Sequence, residues 1–217
     1  MPKPRKQFSY FTPAEVTELF FKNRIYHNLL YLFSYCSIEW YNDAPVWKVE
    51  GDKIHITSGS KTDLWRQANY GFIRDDGHLF YQKIKGDFIV EVKVRGEYQE
   101  LYDQAGIMVR LDEANWLKCG IEFFEGVQQV SAVVTRDYSD WSVVPLPNNP
   151  ASLWVRVTRR VTAVEVQYSL DGEQYTMLRL AYLTPVETVS VGVMCASPEG
   201  NGFPMTFEGE GFKIRSL

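Results

Sequence analysis

Three runs decide how this chain folds: Asp103-Gln104-Ala105-Gly106-Ile107-Met108-Val109-Arg110, then Trp116-Leu117-Lys118-Cys119-Gly120-Ile121-Glu122-Phe123-Phe124, then Gln129-Val130-Ser131-Ala132-Val133-Val134-Thr135-Arg136. Each alternates with the period of two that a β-strand imposes, because successive side chains point to opposite faces. The inward set of the first is Ala105, Ile107 and Val109; of the second, Leu117, Cys119, Ile121 and Phe123; of the third, Val130, Ala132 and Val134. If the three strands are neighbours, their other side gathers Gln104, Arg110, Trp116, Lys118 and Glu122 on one sheet surface. A loop is expected after them, over Ser139-Asp140-Trp141-Ser142.

The same pattern extends in both directions. Trp47–Glu50 and Lys53–Thr57 flank Gly51-Asp52, a hairpin turn. Asp75-Asp76-Gly77 precedes His78–Ile84, and Asp87–Tyr98 sets Phe88, Val90, Val92 and Val94 against Ile89, Glu91, Lys93 and Arg95. Leu153–Thr158 and Ala163–Leu170 pair as a hairpin, followed by runs at Tyr175–Tyr182, Val189–Ala196 and Met205–Ile214. Many short alternating runs separated by turn residues read as an all-β, two-sheet antiparallel sandwich from residue 38 to 217.

Residues 1–37 differ. Thr12-Pro13-Ala14-Glu15 has the form of a capping box with Pro at the first helical position, so a short N-terminal helical appendage is expected there. Ile25–Cys36 is shorter than the roughly 20 apolar residues of a membrane span, and Glu15, Glu18, Lys22 and Arg24 interrupt any signal-peptide core. The expectation is a cytoplasmic protein without a membrane partner.

A chain of 217 residues, 45% of them apolar, can bury one large core. Its net charge of -4 argues against nucleic acid, which needs a clustered basic surface; Lys3, Arg5 and Lys6 are the only basic cluster. Cys36, Cys119 and Cys195 lack close spacing and read as reduced thiols. His27, His55 and His78 lie far apart, so neither a metal nor another cofactor is expected.

Several ordered blocks resemble one family. Trp40-Tyr41-Asn42, Asp103-Gln104-Ala105-Gly106, Trp116 to Phe123, Ser139-Asp140-Trp141-Ser142 and Tyr168-Ser169-Leu170-Asp171-Gly172 are similar to the blocks of the regulation-of-enolase-like family, itself related to concanavalin A-like lectins and glucanases. The resemblance covers about residues 38–217. It implies a jelly roll with one curved sheet whose concave side is open to ligands, and it implies no particular reaction.

Three functions compete for that face. A binding module would use Trp116, Trp141 and Trp154 as flat surfaces for sugar rings, with Gln104, Arg110, Lys118, Glu122 and Arg156 hydrogen-bonding hydroxyls or an acidic sugar. A retaining glycoside hydrolase needs two carboxyl groups about 5–5.5 Å apart. Glu122 is the candidate acid, and since Glu125 falls on the other face, the partner has to come from elsewhere, with Asp140 the best candidate; an Asx-type turn is the simpler reading of Asp140. The third function is a regulatory module that binds a protein partner. The plain alternative for Lys118 and Glu122 is an exposed salt-bridge ladder that keeps the sheet soluble, contributing about 0–1 kcal/mol per pair.

Overall fold

The computed structural model describes residues 38–217, so the helix expected at Thr12, together with His27 and Cys36, lies outside the described residues. Within them the chain forms sixteen strands: β1 (Glu39–Tyr41), β2 (Val46–Glu50), β3 (Lys53–Thr57), β4 (Leu64–Arg66), β5 (Ile73–Asp75), β6 (His78–Lys85), β7 (Phe88–Gly96) and β8 (Gln104–Arg110). They continue as β9 (Asn115–Phe124), β10 (Val127–Arg136), β11 (Tyr138–Pro145), β12 (Leu153–Arg160), β13 (Ala163–Ser169), β14 (Thr176–Tyr182), β15 (Thr188–Ala196) and β16 (Pro204–Ser216). One seven-stranded sheet runs β1-β6-β15-β8-β9-β10-β11, the other β14-β13-β12-β7-β16-β3-β2, and β4-β5 is a separate hairpin. All pairings are antiparallel.

Alternation builds the core. The inward residues of β7 (Phe88, Val90, Val92, Val94) and β12 (Leu153, Val155, Val157) meet those of β8, β9 and β10, and all are buried except Phe123, which is partly buried against the same core. Each fully buried Val, Leu, Ile or Phe side chain contributes about 1.5–3 kcal/mol by leaving water, so this layer dominates stability. The inward sets read from the sequence are the ones found, Ala105, Ile107 and Val109 included.

The first sheet departs from a sandwich with one wet side. All seven residues of β8 are buried, although alternation gives every strand two faces. The cause is the β4-β5 hairpin. Leu64 and Trp65 pack on the outer face of the sheet against Leu79, Met108, Trp116, Val133 and Met194, forming a second apolar cluster. This hairpin escapes sequence reading, and it corrects the expectation of an exposed polar ladder: Lys118 is 3% and Glu122 6% exposed.

Three further corrections concern site candidates. Ser139–Ser142 is not a loop but part of β11, where Trp141 pairs with Val133 and Asp140 with Val134. Asp140 therefore points away from the Glu122 side and ion-pairs with Arg179 at 2.7 Å, neither an Asx turn nor a partner acid for Glu122. Trp154 and Arg156 belong to β12 in the second sheet, and Arg156 is bound to Glu91 of neighbouring β7 at 2.6 Å.

Candidate functional site

The outer face of the first sheet carries its side chains in transverse rows set by the register. Gln104, Glu122 and Gln129 form one row; Met194, Gly106, Gly120 and Ser131 the next; Met108, Lys118, Val133 and Trp141 the third; Arg110, Trp116, Thr135 and Ser139 the fourth. The glycine pair leaves a trough between the first and third rows. A Cβ at Gly106 would sit 1.9 Å from the Cys119 carbonyl oxygen, and one at Gly120 2.1 Å from that of Ala105, so only glycine permits this approach of β8 to β9.

Polar side chains lean across the trough. Lys118 Nζ donates to Gln104 Oε1 diagonally over the glycine pair, and to the Leu64 carbonyl of the hairpin at 2.8 Å, with Asp63 Oδ1 3.8 Å away. Gln104 Nε2 donates in turn to the Tyr102 carbonyl at 3.2 Å. On the other side of the trough Glu122 accepts from Ser131 Oγ at 2.6 Å and from Trp141 Nε1 at 2.8 Å. Both bonds fall on Oε2. Oε1 has no partner among the described residues, on a buried side chain that lines a cavity of about 170 Å³. Burial pushes the Glu122 carboxyl above its ordinary range, opposed by the nearby Lys118 charge and by the Ser131 and Trp141 hydrogen bonds.

Aromatic rings wall this cavity. Trp65 meets Tyr70 at 5.5 Å between centroids and Trp141 edge-on at 6.5 Å; Tyr102 meets Trp141 edge-on at 6.3 Å. The Tyr70 and Tyr102 hydroxyls, 3.2 Å apart, close the circuit. That hydrogen bond, followed by burial, raises the Tyr102 phenol pKa. Phe72 stacks on Tyr70 and Phe124 on Tyr102, and Tyr70 and Phe72 are more than two-fifths exposed. Tyr102 sits at φ 66°, a region costly for an aromatic residue; such strain concentrates at ligand sites. Buried Asp103 holds the turn that imposes it, accepting from the Gln99 and Glu100 backbone at 3.1 and 2.9 Å and from Ser197 Oγ at 2.6 Å.

Of the residues singled out in the sequence, the structure brings Gln104, Lys118, Glu122 and Trp141 to this cavity. Trp116 lies in the same face but is fully buried under the hairpin, with its indole N–H on the Glu113 carbonyl. Arg110 also lies in that face, bound to Asp75, and lines a separate groove with Tyr41, Tyr81 and Glu113. Trp154, Arg156 and Asp140 lie elsewhere. Asp63, Trp65, Tyr70, Phe72, Arg74, Tyr102, Pro198 and Glu199 complete the cavity and had no sequence signal beyond aromatic surplus. Among the described residues no group of three or more His, Cys, Asp or Glu side chains is placed to hold a metal, and no helix is long and apolar enough to cross a membrane.

A family model described as "Protein of unknown function (DUF1349)" matches residues 40–215. The chain belongs to the DUF1349 family. Its DUF1349 region is similar to Regulation of enolase protein 1 of Saccharomyces cerevisiae, 39% identical over 168 residues that span 77% of this chain and 85% of the yeast protein. A crystal structure of a functionally unknown S. cerevisiae protein superposes with TM-score 0.80 at 36% identity, covering 83% of this chain and 97% of that one. A GH43 protein from Bacillus licheniformis superposes with TM-score 0.61 at 16% identity, over 82% of this chain but 37% of the bacterial one. That likeness relates the DUF1349 sandwich to a β-sandwich found within a glycoside hydrolase, at the level of fold.

Proposed function

We propose that the cavity on the outer face of the first sheet binds a carbohydrate or a closely related polar ligand. The observation that carries this reading is the pairing of an acceptor left open to the cavity, Oε1 of the otherwise buried Glu122 side chain, with a circuit of aromatic rings around it. Apolar walls with a few placed polar groups are how small-ligand pockets combine affinity with orientation. Sugar rings present an apolar face to stack on aromatics and hydroxyls to donate to a carboxylate. Asp63, Arg74 and Glu199 on the same lining supply further polar groups. The likeness to a β-sandwich of a GH43 protein supports the reading from an independent side. Both described cysteines, Cys119 and Cys195, are buried free thiols whose pKa burial raises, which fits a reducing, cytoplasmic setting.

Calorimetric titration with xylose, glucose, galactose, mannose and glucuronate tests this. At least one should bind saturably, and Tyr70→Ala, a change at an exposed ring, should weaken it about tenfold or more. No binding of any member at tens of millimolar sinks the proposal.

One observation favours a hydrolase as second reading. A carboxyl group whose pKa burial raises, as that of Glu122, has the environment of a general acid, and Asp63 lines the same cavity as a second carboxylate. Release of 4-nitrophenol from the matching 4-nitrophenyl glycosides, abolished in Glu122→Gln with binding retained, decides for it; silence of the wild-type protein on all of them decides against.

A further inference from the structure

The β4-β5 hairpin is fastened to the sheet on several sides. Its first strand is held by Lys118 of β9, which takes the Leu64 carbonyl at 2.8 Å, and by Ser139 of β11, whose Oγ accepts from the Arg66 backbone N–H at 2.9 Å. Its second strand is held by Arg110 of β8 through both oxygens of Asp75, and by the Tyr41 hydroxyl of β1 at 2.7 Å. Leu64 is fully buried beneath it and Trp65 nearly so. A cover with this many attachments is a fixed part of the fold, since opening it would strip partners from two buried cations at once.

A fixed cover changes what the face can hold. Without it, the rows from Gln104 to Arg110 would be one continuous surface along which a polymer could lie. With it, Met108, Val133 and Trp116 are buried beneath the hairpin, and the two openings that remain share no lining residue: the aromatic cavity at the Glu122 end and the groove beside Arg110. The cavity, at about 170 Å³, is smaller than the roughly 300–1,000 Å³ of pockets that enclose drug-sized ligands. Its walls include Tyr70 and Phe72, which belong to the hairpin itself.

We infer that the β4-β5 hairpin makes this site a pocket for a single ring, a free monosaccharide or the last unit of a chain, and not a cleft for the interior of a polysaccharide. The inference rests on the sugar reading above and narrows its ligand class. It assigns the hairpin's tethers, Lys118 and Arg110, to setting ligand length, and leaves contact with the ring to Glu122, Trp141, Tyr102 and Tyr70.

The test is a length series on the full chain: xylose, xylobiose and xylotetraose, and glucose, cellobiose and cellotetraose, titrated by calorimetry. For the sugar that binds, Kd should stay within about threefold from one ring to four. A Kd that falls tenfold or more along the series overturns the single-ring pocket while leaving the sugar reading intact. Absence of binding throughout both series, and to the other monosaccharides, removes both together. A variant with Gln67–Phe72 replaced by a two-residue Asn-Gly turn supplies a second measurement; it also removes the Tyr70 ring, so its single-ring Kd should rise about tenfold, as in Tyr70→Ala, and its length series is read relative to that Kd. If it keeps the wild-type circular-dichroism spectrum, it should acquire length dependence that the wild-type protein lacks. A flat series in both proteins shows that the hairpin does not set the length and overturns the assignment.

Discussion

Asp75 and Arg110 form a two-pronged ion pair, Oδ1 with Nη1 and Oδ2 with Nη2, each at 2.8 Å, that joins the second strand of the hairpin to the middle of the first sheet. Arg110 is almost fully buried and its face lies over the Tyr41 ring at 4.2 Å, so its charge has nowhere else to go. Asp75→Asn should therefore cost about 3 kcal/mol, the low end of the ~3–5 kcal/mol for breaking a buried pair, because Asp75 keeps some contact with water. Adding Arg110→Met should recover most of that loss, since the uncompensated charge is then gone. Urea denaturation of the single and double variants measures both. A cost under about 1 kcal/mol for Asp75→Asn would mean the pair does not tether the hairpin.

Glu122 gives stability a specific dependence on pH. Its carboxyl lies above the ordinary value of 4.5, chiefly through burial. A carboxyl whose folded pKa exceeds its unfolded one takes up a proton on folding. Its contribution is thus complete below the unfolded value and is lost as pH rises through the folded one. Glu122→Gln removes this titration while Oε1 of the amide can still accept from Ser131 and Trp141. The stability of the wild-type protein relative to the variant should fall as pH climbs above about 4.5 and then level off. Parallel stability curves from pH 4 to 8 would show that the carboxyl is not shifted in the folded protein.

The glycine trough predicts a steric result. A methyl group at Gly120 meets the Ala105 carbonyl at 2.1 Å and the Gly106 Cα at 2.6 Å, and both are backbone atoms that no rotamer change can move. Gly120→Ala should push β8 from β9 and cost about 3 kcal/mol or more, at the upper end of what overpacking does. Thermal and urea unfolding read the loss directly. A nearly neutral Gly120→Ala would show that the two strands have room to separate, and with it that the trough is not fixed.

The sandwich was legible because period-two alternation needs only one strand at a time: Val90, Val92 and Val94 declare their inward side without reference to anything distant. The same rule placed Gln104, Lys118 and Glu122 on one face. It could not say which sheet a strand joins, and that is why Trp154 and Arg156, outward-facing on β12, were grouped with residues of the opposite sheet. It also misled at Asp140, where a turn-like sequence runs on as strand and sends Asp140 and Trp141 to opposite sides. The hairpin was invisible for a different reason. Leu64–Arg66 and Ile73–Asp75 are three residues each, too short for alternation, and the loop between them takes positive φ at Gln67 and Asn69 as well as at Gly71. Their partners are tertiary, chiefly Lys118 and Arg110, the two cations that looked most like ligand contacts.

Lys118 links the cover to the chemistry beneath it, and one substitution separates the two roles. Its ammonium holds the Leu64 carbonyl and Gln104 on one side, and its charge is the largest influence drawing the Glu122 carboxyl back down. Lys118→Met keeps an unbranched side chain in the buried space but removes the charge, so the charged form of Glu122 loses its favourable neighbour and its pKa should climb further. The fall in stability that Glu122 causes should then begin as before, near the unfolded value, and extend to higher pH. Lys118→Arg, which keeps the charge, should leave the upper end of that window near its wild-type position. Stability measured from pH 4 to 9 for each Lys118 variant, with and without Glu122→Gln, isolates the coupling from the general cost of losing the Leu64 and Gln104 bonds, because that cost is common to both members of a pair. If the upper end of the window stays put in Lys118→Met, Lys118 acts on the hairpin alone and Glu122 is tuned by burial and hydrogen bonds without it.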